Sequence, residues 1–66
     1  MPGTYRMVEI VGTSPVSFAE AVTVAIDDAS SSVQHMDWFE VVSQSGRIAD
    51  GKLLEFQVTL KIGFKM

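Results

Sequence analysis

Trp38 and Gln57 carry the most distinctive chemistry in this sequence. Trp38 is the only tryptophan, and it sits at the start of an alternating run, Asp37-Trp38-Phe39-Glu40-Val41-Val42. An indole offers a broad face that stacks on planar aromatic rings. From pattern alone, the simpler reading is a core or interface tryptophan. Gln57 lies among apolar neighbours in Phe56-Gln57-Val58. Its amide both donates and accepts, which suits a pyrimidine-like edge carrying adjacent carbonyl and N–H groups. The simpler reading there is a cross-strand hydrogen bond or a solvated side chain.

Other candidates are thinner. His35 is the only histidine and there is no cysteine, so a metal site has too few ligands and none is expected. Ser, His and Asp all occur, but at no spacing that resembles a nucleophile motif. The chain is therefore not expected to be an enzyme. Glu40 and Glu55 could approach in one strand register, although ion pairing with Lys61 or Arg6 explains them more simply. Gly12-Thr13-Ser14-Pro15 precedes a helix and could meet an anion at the helix N-terminus. It lacks the glycines and lysine of a phosphate loop. Arg47 and Lys52 flank a hairpin tip, where a cation could meet a phosphate.

The elements that must position these residues are few. Sixty-six residues make one domain, 1–66. A chain this short buries only about 60% of its unfolded surface. Without a disulfide, self-association is the expected source of extra burial, and 47% of the residues are apolar. The net charge is −3 with no basic run, so nucleic acid is not an expected partner. No apolar stretch approaches the roughly 20 residues needed to span a bilayer. Met1-Pro2-Gly3-Thr4 lacks the features of a secretory signal, so a cytoplasmic location with no membrane partner is expected.

Residues 5–11 read as a strand, with Val8 and Ile10 on one face and Met7, Glu9 and Val11 on the other. Gly12 to Pro15 should break it. Ser17 followed by Glu20 reads as a capping box. Phe18, Ala21, Val22, Ala25, Ile26, Ala29 and Val33 then form one helical stripe, ending near Gln34 to Met36. A second strand is expected over about 37–45, with Trp38, Glu40, Val42 and Gln44 on one face and Phe39 and Val41 on the other. A third is expected over about 53–64. Its face Leu54, Phe56, Val58, Leu60, Ile62 and Phe64 is apolar throughout; Leu53, Glu55, Gln57, Thr59 and Lys61 oppose it. Phe56→Ala is accordingly expected to cost about 3–5 kcal/mol.

This pattern predicts an α+β fold, β-α-β-β, with an antiparallel sheet of order 1-3-2 and a right-handed crossover through the helix. Asp50-Gly51 suits a two-residue hairpin turn. In that register Ala49 opposes Lys52, Gln44 opposes Gln57, Glu40 opposes Lys61 and Trp38 opposes Gly63. Trp38 and Gln57 then lie about 20 Å apart along the strand, so a site using both needs more than one chain; a longer loop would bring them closer.

Four segments in order resemble the dodecin family: Glu9-Ile10-Val11-Gly12-Thr13-Ser14-Pro15, Asp37-Trp38-Phe39-Glu40-Val41-Val42, Asp50-Gly51-Lys52, and Phe56 through Phe64. The resemblance runs from Tyr5 to Phe64. It implies a three-stranded antiparallel sheet wrapped around one helix and a homododecameric hollow shell. It also implies storage, buffering or photoprotection of flavin, either FMN or riboflavin, stacked between tryptophans of neighbouring subunits. Some members also bind coenzyme A. By position, the resemblance makes Trp38 the stacking residue and Gln57 the partner of the ring's polar edge. Arg47 becomes a candidate for the phosphate or ribityl tail. Ser45 and Arg47 stand where bacterial relatives often carry arginine and histidine. A carrier of coenzyme A and a ligand-free structural assembly are the alternatives.

Overall fold

The structure is a computed structural model that describes residues 3–66. Met1 and Pro2, part of the N-terminus read above for a secretory signal, lie outside the described residues. The chain runs β1 (Tyr5–Ser14), α1 (Phe18–Ala29), β2 (Met36–Ala49) and β3 (Lys52–Lys65). The strands form one antiparallel sheet in the order β1-β3-β2, as the pattern predicts. Asp50 and Gly51 have φ of 52° and 73°, the left-handed pair that a two-residue hairpin turn requires. No helix among the described residues is long and apolar enough to cross a membrane.

The core is narrow. Val58, Leu60 and Ile62 of β3 are buried against Ala21, Ala25 and Ala29 of α1. Val8, Ile10, Phe18, Val22, Ile26 and Met36 pack around them. The alanines recur every fourth residue, so one smooth stripe of the helix meets the sheet. Gly12 of β1 completes this fit. A methyl group there would lie 2.1 Å from the Ala21 carbonyl oxygen and 2.7 Å from the Ala25 Cβ. The expected break at Gly12 does not occur. Gly12, Thr13 and Ser14 stay paired with Val58, Gln57 and Phe56, and β1 ends only before Pro15.

The helix begins at the expected cap. Ser17 is extended, with φ −165°, and its Oγ accepts from the Glu20 amide at 3.0 Å. The other half of the capping box is replaced. The Glu20 carboxylate accepts from the hydroxyl of Ser14, which is 2% exposed and itself accepts from the Val16 amide. The helix is shorter than the apolar stripe predicts, because its last helical residue is Ala29. Ser30 and Ser31 donate through their hydroxyls to the Asp27 and Asp28 carbonyls at 2.6 and 2.9 Å. Such local bonds compete with helix propagation.

Two bulges overturn the expected faces of the hairpin. Pairing jumps between Val41 and Ser43 on β2, and between Glu55 and Leu53 on β3, so Val42 and Leu54 each lack a partner. Gln44 therefore pairs with Val58 on the helix side, instead of sharing a face with Trp38. Leu53 pairs with Ile48 on that same side, and the six-residue apolar face of β3 is interrupted at Leu54. Leu54 is half exposed, and Phe56 is only partly covered, by Phe18 edge-on at 4.9 Å. The 3–5 kcal/mol expected for Phe56→Ala belongs to a fully buried side chain, and Phe56 is not one; Leu60 is fully buried.

Gly12→Ala should destabilise the fold by about 1–3 kcal/mol, because the rigid carbonyl of Ala21 must move away. Denaturant unfolding of the purified variant checks this; an unchanged midpoint would mean the helix does not depend on that close approach.

Candidate functional site

The sheet face away from α1 carries Tyr5, Met7, Glu9 and Val11 of β1, and Gln57, Thr59, Lys61 and Gly63 of β3. From β2 it carries Trp38 and Glu40, then beyond the bulge Ser43, Ser45 and Arg47. The side chains at its two ends differ in kind.

At one end Trp38 opposes Gly63, as the hairpin register predicts. The indole lies over the bare backbone of that glycine. A Cβ on Gly63 would come within 2.4 Å, 2.5 Å and 2.6 Å of Trp38 Cη2, Cζ3 and Cζ2. Tyr5 meets the indole edge-on, with ring centroids 5.1 Å apart and planes at 71°. One side of the ring thus rests on the sheet and an edge is braced, while 42% of the residue remains exposed. This geometry makes a flat aromatic platform suited to stacking.

At the other end Gln57 opposes Ser45, where the unbulged register predicts Gln44. The Gln57 amide nitrogen donates to Glu55 Oε2 at 3.0 Å, and its oxygen accepts from Ser45 Oγ at 3.2 Å. Arg47 opposes Glu55 and lies diagonally across from Gln57 on the same face. The structure therefore brings Gln57 and Arg47 near each other and keeps both from Trp38. Six positions of β3 separate Gln57 from Gly63, about 20 Å.

The remaining candidates are accounted for by the fold. Lys61 lies between Glu9 and Glu40 on its two neighbouring strands, so the cation is flanked by acids. Glu40 and Glu55 do not approach, since Glu55 is six positions along β3 from Lys61. His35 has φ 61° and its carbonyl accepts from the Lys65 amide at 3.1 Å, a linker role between α1 and β2. The N-terminus of α1 is served by its own chain: Ser17 accepts from the Glu20 amide, Ser14 accepts from the Val16 and Ser17 amides just before the helix, and the Glu20 carboxylate accepts from Ser14. No group of three His, Cys, Asp or Glu side chains gathers among the described residues.

Sequence reasoning missed Tyr5 at the first end; at the second it put Glu55 on the Gln57 face and Ser45 beside Arg47 by resemblance, without joining either to Gln57. A signal was present for the first end. A glycine directly across from a tryptophan marks close approach over the sheet, and Tyr5 lies on the same face one strand further. For the second end there was none, because the bulges that bring Ser45 opposite Gln57 leave no mark in the alternation.

Comparison with known proteins decides the family. The dodecin family profile matches residues 4–66. This chain is a member of the dodecin family. It is 38% identical over 66 residues to the dodecin of Thermus thermophilus, covering all of this chain and 96% of that protein. The structure of dodecin from Streptomyces coelicolor superposes with a TM-score of 0.93 at 45% identity, covering 97% of this chain and 91% of that one. The calcium dodecin of Mycobacterium tuberculosis is 29% identical over 62 residues, covering 94% of this dodecin and 87% of that protein.

Gly63→Ala should push the indole off its seat and change tryptophan emission and near-ultraviolet circular dichroism, with the far-ultraviolet spectrum retained. Unchanged emission would show that the ring does not rest on Gly63.

Proposed function

We propose that this dodecin binds flavin, FMN or riboflavin, and stores or buffers it without turning it over. The observation that carries the reading is the Trp38 platform: an indole seated on Gly63, braced by Tyr5 and exposed on the side away from the sheet. An isoalloxazine ring is flat, wide and apolar over much of its area, which suits such a surface. Its polar edge suits the one N–H and one lone pair that Gln57 keeps after bonding Glu55 and Ser45. Arg47, on the same face, is placed to meet a phosphate or ribityl tail. The ring, when bound, supplies light absorption and redox capacity; the chain's own residues hold it and shield it.

The separation of Trp38 from Gln57 supports a site made between copies of the chain. One copy offers the platform and a neighbour offers the amide. Exposed apolar side chains support association too, because Phe39, Val41, Val42, Ile48, Leu53 and Leu54 are all between 44% and 77% exposed in a single chain. A closed homododecamer, the assembly after which the family is named, would bury them. Binding without catalysis fits the same face. Its acids are either beside Lys61 or bonded to Gln57, and Glu40 and Glu55 are too far apart to share a proton.

Titration of riboflavin or FMN with the purified protein tests the reading, since a stacked indole quenches flavin emission. Quenching should saturate near one flavin per chain, at a mass of about twelve chains by light scattering. Trp38→Ala should keep the assembly and weaken ring binding by about 1–3 kcal/mol, the usual worth of an aromatic–base stack. Equal affinity in that variant would reject the stacking role. A preparation of the same mass that ignores flavin but takes up coenzyme A would favour a carrier of that cofactor.

A further inference from the structure

The two partners of the Gln57 amide are not equivalent. Glu55 Oε2 receives the amide nitrogen at 3.0 Å, and Ser45 Oγ donates to the amide oxygen at 3.2 Å. A carboxylate only accepts, so it holds the NH₂ end and repels the carbonyl end. A hydroxyl donates or accepts, so Ser45 bonds whichever end reaches it. Glu55 thus sets the orientation and Ser45 completes it. All three side chains share the face away from the helix. They meet because the bulge at Leu54 shifts Ser45 into register with Gln57. Glutamine has two N–H groups and two carbonyl lone pairs, and this arrangement uses one of each. The remaining donor and acceptor keep a fixed order: donor at the Glu55 end, acceptor on the side of β2.

We propose that Glu55 is a positioning residue that fixes the polarity of the donor–acceptor pair Gln57 presents, and so selects rings whose edge carries the complementary order. The proposal rests on the ring-binding reading above. It adds that selection lies in the Glu55 carboxylate, which need not touch the ligand. A glutamine free to flip would serve either order of edge groups and would discriminate poorly between them.

The experiment pairs two readouts on wild type and Glu55→Gln, a substitution that keeps size and removes the acceptor-only constraint. The first is the ratio of affinities for riboflavin and N3-methylriboflavin, which differ in one edge donor and stack alike. Wild type should prefer riboflavin, and Glu55→Gln should reduce that preference by about two- to tenfold, the worth of one net hydrogen bond. A merely structural role would weaken both flavins equally and leave the ratio unmoved, which would overturn the proposal. The second readout is hydrogen exchange of side-chain amides by NMR without ligand. The Gln57 NH₂ should exchange more slowly than that of exposed Gln34 and lose the difference in Glu55→Gln. If wild type quenches neither flavin, the ring-binding reading fails on its own, and exchange still decides the orientation. Protection lost in the variant upholds Glu55 as the positioning group, and protection unchanged overturns it.

Discussion

A helix of twelve residues is about 18 Å long, whereas a strand of fourteen residues extends about 46 Å. That mismatch governs this dodecin. The helix covers the part of the sheet around Val58, Leu60 and Ile62, and the hairpin of β2 and β3 runs on past it. The core is therefore confined to one region, and a surface with the alternation of a buried sheet is left bare along the hairpin. The bare part lies beyond the start of the helix: Phe18, the first residue of α1, packs on Phe56, and the hairpin beyond Phe56 runs on past the Ser17 cap. Only a helix that began earlier could cover more of that hairpin.

The bulges serve the same end. Without a break at Val42, the alternation from Trp38 would turn Ser43, Ser45 and Arg47 toward the helix side and Gln44 outward. Without the break at Leu54, the register from the hairpin turn would place Gln44 opposite Gln57. Together they cancel in register, so Trp38 still opposes Gly63 and Glu40 still opposes Lys61, while the segment between them is moved by one residue. The outward face therefore holds polar groups that can hydrogen-bond at one end and an aromatic platform at the other. Bulges also increase the local twist of this long two-stranded ribbon.

Much of this could be read before the structure. The order of elements, the sheet order, the turn at Asp50-Gly51 and the pairing of Trp38 with Gly63 all follow from periodicity and one pair of turn residues. Those signals are strong because they repeat. What could not be read are the single-residue events. A bulge changes one pairing and leaves the composition on either side unaltered, so alternation puts Gln44 on the wrong face. Gly12 looked like a breaker because glycine usually is one in a strand. Here its missing side chain admits the Ala21 carbonyl, a tertiary contact invisible to local pattern. The capping box was half right for a related reason. The Glu20 carboxylate found a buried hydroxyl, Ser14, that lies across a turn and outside the motif.

The two ends of the outward face also differ in what they demand of a partner. The platform needs only flatness, because stacking on an indole tolerates many rings. The Gln57 end demands an order of donor and acceptor, because a buried polar group left unpaired costs more than a satisfied one gains. Affinity can thus come from Trp38 and discrimination from Gln57, through separate residues about 20 Å apart on one chain. Holding them apart has a physical consequence for a protein proposed to store a reactive ring. On the proposed reading, a lone chain would offer the platform without the amide beside it, and would stack without selecting. Selective binding would then arise only where two copies bring the ends together, and a chain outside the assembly would not retain the ring selectively.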